Sequence, residues 1–190
     1  PKKDLSGNYK LGILIRDYLS GLGTVTFINQ NGDFFSLGHP ITDESGNLLK
    51  VSGGNVYECT ITGIDKSTRG HAGELKGELI RDKILGTVFA NTSTGLTGKF
   101  TDKKYYSHLR KMQLGTAKQG SAEIYATISG NVPVKYSIAI VKTDETDKRN
   151  KNLVIKITDD RLIDLAGGIV RGMSGSPIVQ DGKIVGAITH

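Results

Sequence analysis

Apolar and polar residues alternate with a period of two along most of this chain, in short runs rich in valine, isoleucine and threonine that glycines interrupt. Such runs belong to half-buried strands, whereas the apolar positions of an amphipathic helix recur every three or four residues. The pattern predicts strands at 12–17, 23–29, 34–37, 56–64, 74–79, 84–90, 123–129, 134–143 and 153–158. A further pair closes the chain, because Ser-Pro-Ile-Val-Gln, the turn Asp181-Gly182 and Lys-Ile-Val-Gly-Ala-Ile read as a β-hairpin. Asn31-Gly32 joins the second and third strands in a similar turn. Only 160–165 and 105–112 look helical, and both are short. With no helical pattern between successive strands, parallel β-α-β units are excluded and an all-β barrel or sandwich is expected. A polar, glycine-rich seam at 91–104 divides one domain, 1–190, into β-rich halves of about 1–100 and 101–190.

Composition narrows this picture only modestly. Apolar content of 37% with 23% charged residues is that of a soluble globular chain. The longest apolar stretches, such as 138–141, are too short to span a bilayer, and no basic-then-apolar leader opens the sequence. Both ends look cut, so any targeting segment is expected outside this sequence. The single cysteine, Cys59, cannot form an internal disulfide, and its place in an alternating run makes it a packed thiol. A net charge of +6 weakly favours acidic surfaces and falls short of a nucleic-acid signature. Lys103-Lys104-Tyr105-Tyr106-Ser107-His108-Leu109-Arg110-Lys111 interleaves cations with rings. It reads as a solvated connector with tyrosine anchors, or else as a grip for phosphates, a membrane or an acidic peptide. The segment 142–152 carries both signs and is an exposed hairpin loop.

The chemistry concentrates in Gly172-Met173-Ser174-Gly175-Ser176-Pro177. A nucleophilic serine needs a base, a group to orient that base, and N–H donors aimed at the developing oxyanion. Glycines at 172 and 175 let the backbone bend tightly, so that the N–H groups of Gly172 and Ser174 can face one small pocket. Of the four histidines, His39 has the best frame, since a hairpin delivers it at a strand end in Ser36-Leu37-Gly38-His39-Pro40. His71 sits in a loop, His108 in the basic segment and His190 at the last position. The histidines show no metal-ligand spacing, so neither metal nor cofactor is expected. For the acid that orients His39, Asp159, Asp160, Asp164 and Asp43 are all open on sequence grounds. Asp159 follows a strand that can fix it, and it or Thr158 equally suits the cap of the short helix behind it.

Residues 12–27, the stretch Leu37-Gly-His-Pro-Ile-Thr-Asp43, Gly73-Glu-Leu-Lys-Gly77 and Gly167-Gly-Ile-Val-Arg-Gly-Met-Ser-Gly-Ser-Pro177 together resemble the peptidase domain of the SpoIVB family of sporulation proteins. The resemblance spans nearly the whole chain. It implies a chymotrypsin-like double β-barrel with the site between lobes, and a catalytic set of His39, Asp159 and Ser174 with an oxyanion hole at Gly172 and Ser174. It also implies a membrane-associated protein substrate, cleaved in sigma-factor signalling at the forespore, and an exported, membrane-associated full-length protein with an anchor and a PDZ domain. One departure from the trypsin-like pattern is Met173, where an acidic residue would otherwise allow activation by a freed amine. The rival from another class is a non-catalytic basic β-barrel that binds nucleic acid or an acidic partner. Aromatic content of 6% without tryptophan leaves few stacking platforms for it. A protease fold that has lost activity and serves as a scaffold is a third reading.

Overall fold

A computed structural model describes residues 2–3, 9–10, 19–144, 146–147 and 151–189. The expected strand at 12–17, and His190, lie outside the described residues. A two-stranded pair, β1 (Lys2–Lys3) and β2 (Tyr9–Lys10), stands near the N-terminus. Two larger sheets follow. The first has five strands in the order β3-β4-β7-β6-β5, from β3 (Val25–Ile28), β4 (Asp33–Ser36), β5 (Gly54–Asp65), β6 (Glu74–Thr92) and β7 (Gly95–Phe100). The second has six in the order β11-β10-β9-β12-β13-β8, from β8 (Gln113–Leu114), β9 (Gly120–Ala126), β10 (Val134–Thr143), β11 (Leu153–Ile157), β12 (Pro177–Gln180) and β13 (Lys183–Ala187). The only α-helix among the described residues is α1 (Asp160–Ala166). This is the all-β, two-sheet architecture of the chymotrypsin-like fold.

Period-two alternation builds the core of the second sheet. Ala122, Ile124 and Ala126 of β9 and Tyr136, Ile138 and Ile140 of β10 point inward, where Leu162, Val170, Met173 and Ile178 meet them. Ile124 is wholly buried, and full burial of an isoleucine side chain contributes about 1.5–3 kcal/mol. The closing hairpin has the turn expected of Asp-Gly: Asp181 and Gly182 both take positive φ, 51° and 76°.

Three expectations change. The runs at 74–79 and 84–90 belong to one 19-residue strand, β6, which opposes Glu58 with Ile80 and the adjacent Tyr57 with Ile84. The residues between Ile80 and Ile84 are extra on that side, as in a bulge, and the alternation breaks there without ending the strand. The seam at 91–104 contains β7, whose Gly98 fits against the Phe34 ring and the Thr87 carbonyl, where a side chain would collide. The expected helix at 105–112 reduces to a 3-10 turn, Lys103–Tyr105, capped by the Asp102 carboxylate on the Lys104 N–H. Tyr106 then anchors the connector, its ring edge-on to Phe100 at 6.2 Å.

The hairpin β5–β6 ties the sheets together. Its inner half pairs with β7, whereas its far half crosses to the second core, where Leu75 is buried with Ile61 and Ile64 beside it. Ile61 and Gly130 exchange N–H···O bonds of 2.7 and 2.9 Å, and Leu75 donates to Arg171 O at 2.9 Å.

Candidate functional site

Two consecutive tight turns shape the segment around Ser174. Met173 N–H donates to Val170 O at 3.2 Å, and Ser176 N–H donates to Met173 O at 3.0 Å. Each turn carries glycine at its third position, Gly172 at φ 95° and Gly175 at φ 92°. That left-handed backbone is the one a type II turn needs there, and it favours glycine. The turns engage the N–H groups of Met173 and Ser176, while Gly175 N–H donates to Ile188 O at 2.8 Å. Among the described residues, the N–H groups of Gly172 and Ser174 meet no acceptor. Met173 is 1% exposed and belongs to the second core, so the segment is pinned from below by packing. Ser67 braces it from the side, its hydroxyl donating to Ile169 O at 2.8 Å and accepting from Gly73 N–H at 2.9 Å.

Ser174 is half-buried and its hydroxyl donates to Thr189 O at 3.4 Å, a long bond that leaves the group free to turn. Its own carbonyl accepts from Thr24 N–H at 2.8 Å, and Thr24 O accepts from Leu37 N–H at 3.2 Å. A Cβ on Gly175 would overlap Thr24 O and stand 2.6 Å from Leu37 N. The serine turn of the second sheet therefore docks directly on the β3–β4 end of the first.

That end leads straight into His39. Leu37 takes φ 70°, rare for a branched side chain, and Gly38 N–H closes a three-residue turn onto Ser36 O at 2.9 Å. Such a turn is strained, and strained backbone persists where its surroundings over-determine it. Gly38 lies so close to Thr189 that a Cβ would come within 2.8 Å of its Cγ2. The half-buried His39 ring sets Nδ1 2.9 Å from Pro40 O. With Nδ1 protonated toward that carbonyl, Nε2 is the basic nitrogen.

Asn91, which the sequence did not single out, holds this loop in shape. Its side-chain oxygen accepts from Ile41 N–H at 3.0 Å, and its amide donates to Ile41 O at 2.7 Å and Leu49 O at 2.9 Å. Nothing in a single sequence links positions 50 residues apart, so only an asparagine at the end of an apolar run hinted at it.

Two of the acid candidates hold hydrogen-bond partners of their own. Asp159 caps α1, accepting from Arg161 N–H at 3.1 Å, from Arg161 Nε at 3.0 Å and Nη2 at 2.8 Å, and from Ser137 N–H at 3.1 Å. Its side chain is 8% exposed, and the Arg161 guanidinium holds its carboxyl far below the usual carboxylate range. Asp43 closes its own exposed turn with Ser45 and Asn47, whose donated hydrogen bonds lower its carboxyl. Asp160 and Asp164 are exposed on α1. His71 lies in the exposed β5–β6 turn, and the exposed His108 has Nδ1 3.2 Å from Lys104 O. Cys59 is half-buried on β5, where burial raises its thiol. Among the described residues no group of three His, Cys, Asp or Glu side chains stands together as a metal would need.

A family model described as SpoIVB peptidase S55 matches residues 7–190. No curated protein matches the chain, and no solved structure does.

Proposed function

The chain belongs to the SpoIVB peptidase S55 family, and from that premise we propose that it is a serine endopeptidase in which Ser174 attacks the peptide carbonyl and His39 takes the hydroxyl proton. His39 then returns that proton to the leaving amine, and water repeats the sequence on the acyl-enzyme. The oxyanion of each tetrahedral intermediate is held by the N–H groups of Gly172 and Ser174. The observation that carries this reading is the docking of the Ser174-Gly175 turn on Thr24 and Leu37, two residues ahead of His39, with those two N–H groups unengaged among the described residues. Met173 replaces the ion-pair activation of trypsin-like enzymes with a core plug.

Two roles for Asp159 follow from different observations. The family resemblance gives it as the acid that orients His39, whereas its four hydrogen bonds give it as a brace for α1, with Pro40 O setting the imidazole tautomer. As a triad acid, Asp159→Asn lowers the turnover of the folded fraction by about 10⁴, beyond any loss of stability. As a brace, it lowers stability and leaves the turnover of the folded fraction within about tenfold. The substrate is a protein. By family kinship it is a membrane-associated regulator in sporulation signalling.

The test is covalent labelling. A fluorophosphonate should modify wild type on Ser174, and Ser174→Ala should lose both the label and about 10⁶ in kcat. His39→Ala should lose comparably. Equal labelling of Ser174→Ala, or none of wild type, overturns the reading.

A further inference from the structure

The scissile carbonyl must sit at Ser174 Oγ, so the side chains on either side of that bond must enter whatever space opens next to this oxygen. Two cavities do. One, of about 370 Å³, lies along Gly172 and is lined by the charged Glu74 and Arg171 as well as Leu22 and Leu75. The other, of about 550 Å³, opens at Gly38 and Thr189, the residue whose carbonyl accepts the Ser174 hydroxyl. Its walls include Leu153, Ile155, Ile169, Ile178 and Val185 beside the polar Thr94, Thr116, Thr143 and Asn152, and among the described residues no ionisable side chain lines it. Gly186 keeps it open, since a Cβ there would press on Leu153 at 2.8 Å. The space is ample for a large amino-acid side chain. A charge placed in it would find no opposite charge among the described residues, whereas an aliphatic or aromatic group would bury apolar surface against the aliphatic walls.

We propose that the cavity beside Thr189 receives a large apolar side chain from a residue adjoining the scissile bond, so that the enzyme selects leucine, isoleucine, methionine or phenylalanine there and rejects lysine, arginine, aspartate and glutamate. This rests on the serine-peptidase reading above and adds the substrate class to it.

The experiment measures kcat/KM on internally quenched peptides that differ only in the residues flanking the cut, with fluorophosphonate titration of Ser174 on the same preparation. At one of the two flanking positions, leucine or phenylalanine should exceed alanine by about 10- to 100-fold and exceed lysine or aspartate by more than about 100-fold. Ile169→Asp should reverse the order, favouring lysine or arginine over leucine. If Ser174 labels but both flanking positions are indifferent, or the best substrate carries a charge at each, the cavity assignment fails and the peptidase reading stands. If Ser174 neither labels nor cleaves any peptide, both fall. The wild-type series decides the matter even where Ile169→Asp does not fold.

Discussion

A single methyl group on Gly175 tests the junction between the sheets, because it would overlap the Thr24 carbonyl that receives the Leu37 N–H. The left-handed φ of 92° adds strain for any L side chain. Gly175→Ala is therefore expected to lower Ser174 labelling by at least about 100-fold while the second core, which the substitution does not touch, keeps its secondary structure by circular dichroism. Wild-type labelling would show that the junction does not position the serine. Asp159 gives a pH test. Its folded carboxyl lies below the unfolded value of about 3.9, so its stabilisation is in place above about pH 4 and fades as pH falls further. Asp159→Ala also removes a helix cap, and should cost about 1–2 kcal/mol near neutral pH and flatten the acid limb of the stability curve. An unchanged acid limb would mean that Arg161 contributes nothing to the carboxylate. At this scale the sequence was informative where chemistry is local. Gly172, Ser174 and Gly175 advertise two bends around a hydroxyl, but the strained Leu37 turn has no local signature, since leucine is an unusual choice for positive φ.

At the scale of elements, β6 does two jobs that its sequence separates poorly. Its first half delivers Leu75 to the second core, and its last turns deliver Asn91 to the His39 loop. Alternation revealed both halves as strands, and β10 was equally legible because one of its faces is buried and the other wet, whereas the closing hairpin, whose Ile178, Val179 and Gln180 are all buried, was legible from its β-branched runs and Asp181-Gly182 turn. β7 was not, since Gly-Leu-Thr-Gly-Lys-Phe presents two glycines whose reason is crowding, of Gly98 against Phe34 and Thr87 and of Gly95 against the Ser36 carbonyl, contacts made only in the fold. Asn91→Ala leaves Ile41 N–H and Leu49 O without this partner, while Ile41 O keeps the Leu49 N–H. It should reduce kcat/KM by about 10- to 100-fold through misplacement of His39, with KM little changed and the pH–rate profile shifted. Asn91→Asp restores the acceptor for Ile41 N–H and loses both donated bonds, so it should rescue little. Equal loss of stability and activity, with an unshifted profile, would reduce Asn91 to a fold residue.

The whole molecule places Ser174 and His39, the proposed nucleophile and base, beside different sheets, and the strap β5–β6 bears on whether those sheets act as one body. Leu75 is 5% exposed within the second core, and its Cβ is 3.1 Å from where a Cβ on Gly172 would stand. The strap thus packs against the segment that carries Ser174 while its inner half remains paired in the first sheet. Sharing a core couples the two sheets energetically, so the chain should unfold in one transition, with circular dichroism and Ser174 labelling lost at the same denaturant midpoint. Leu75→Ala opens a cavity at this crossing and should cost about 2–5 kcal/mol. It should also lower labelling under native conditions, because the Gly172 backbone loses its support. A labelling midpoint well below the circular dichroism midpoint in wild type would mean that the sheets separate before either melts. The sheets would then be joined by the Thr24–Ser174 bond, and the strap would contribute packing without coupling.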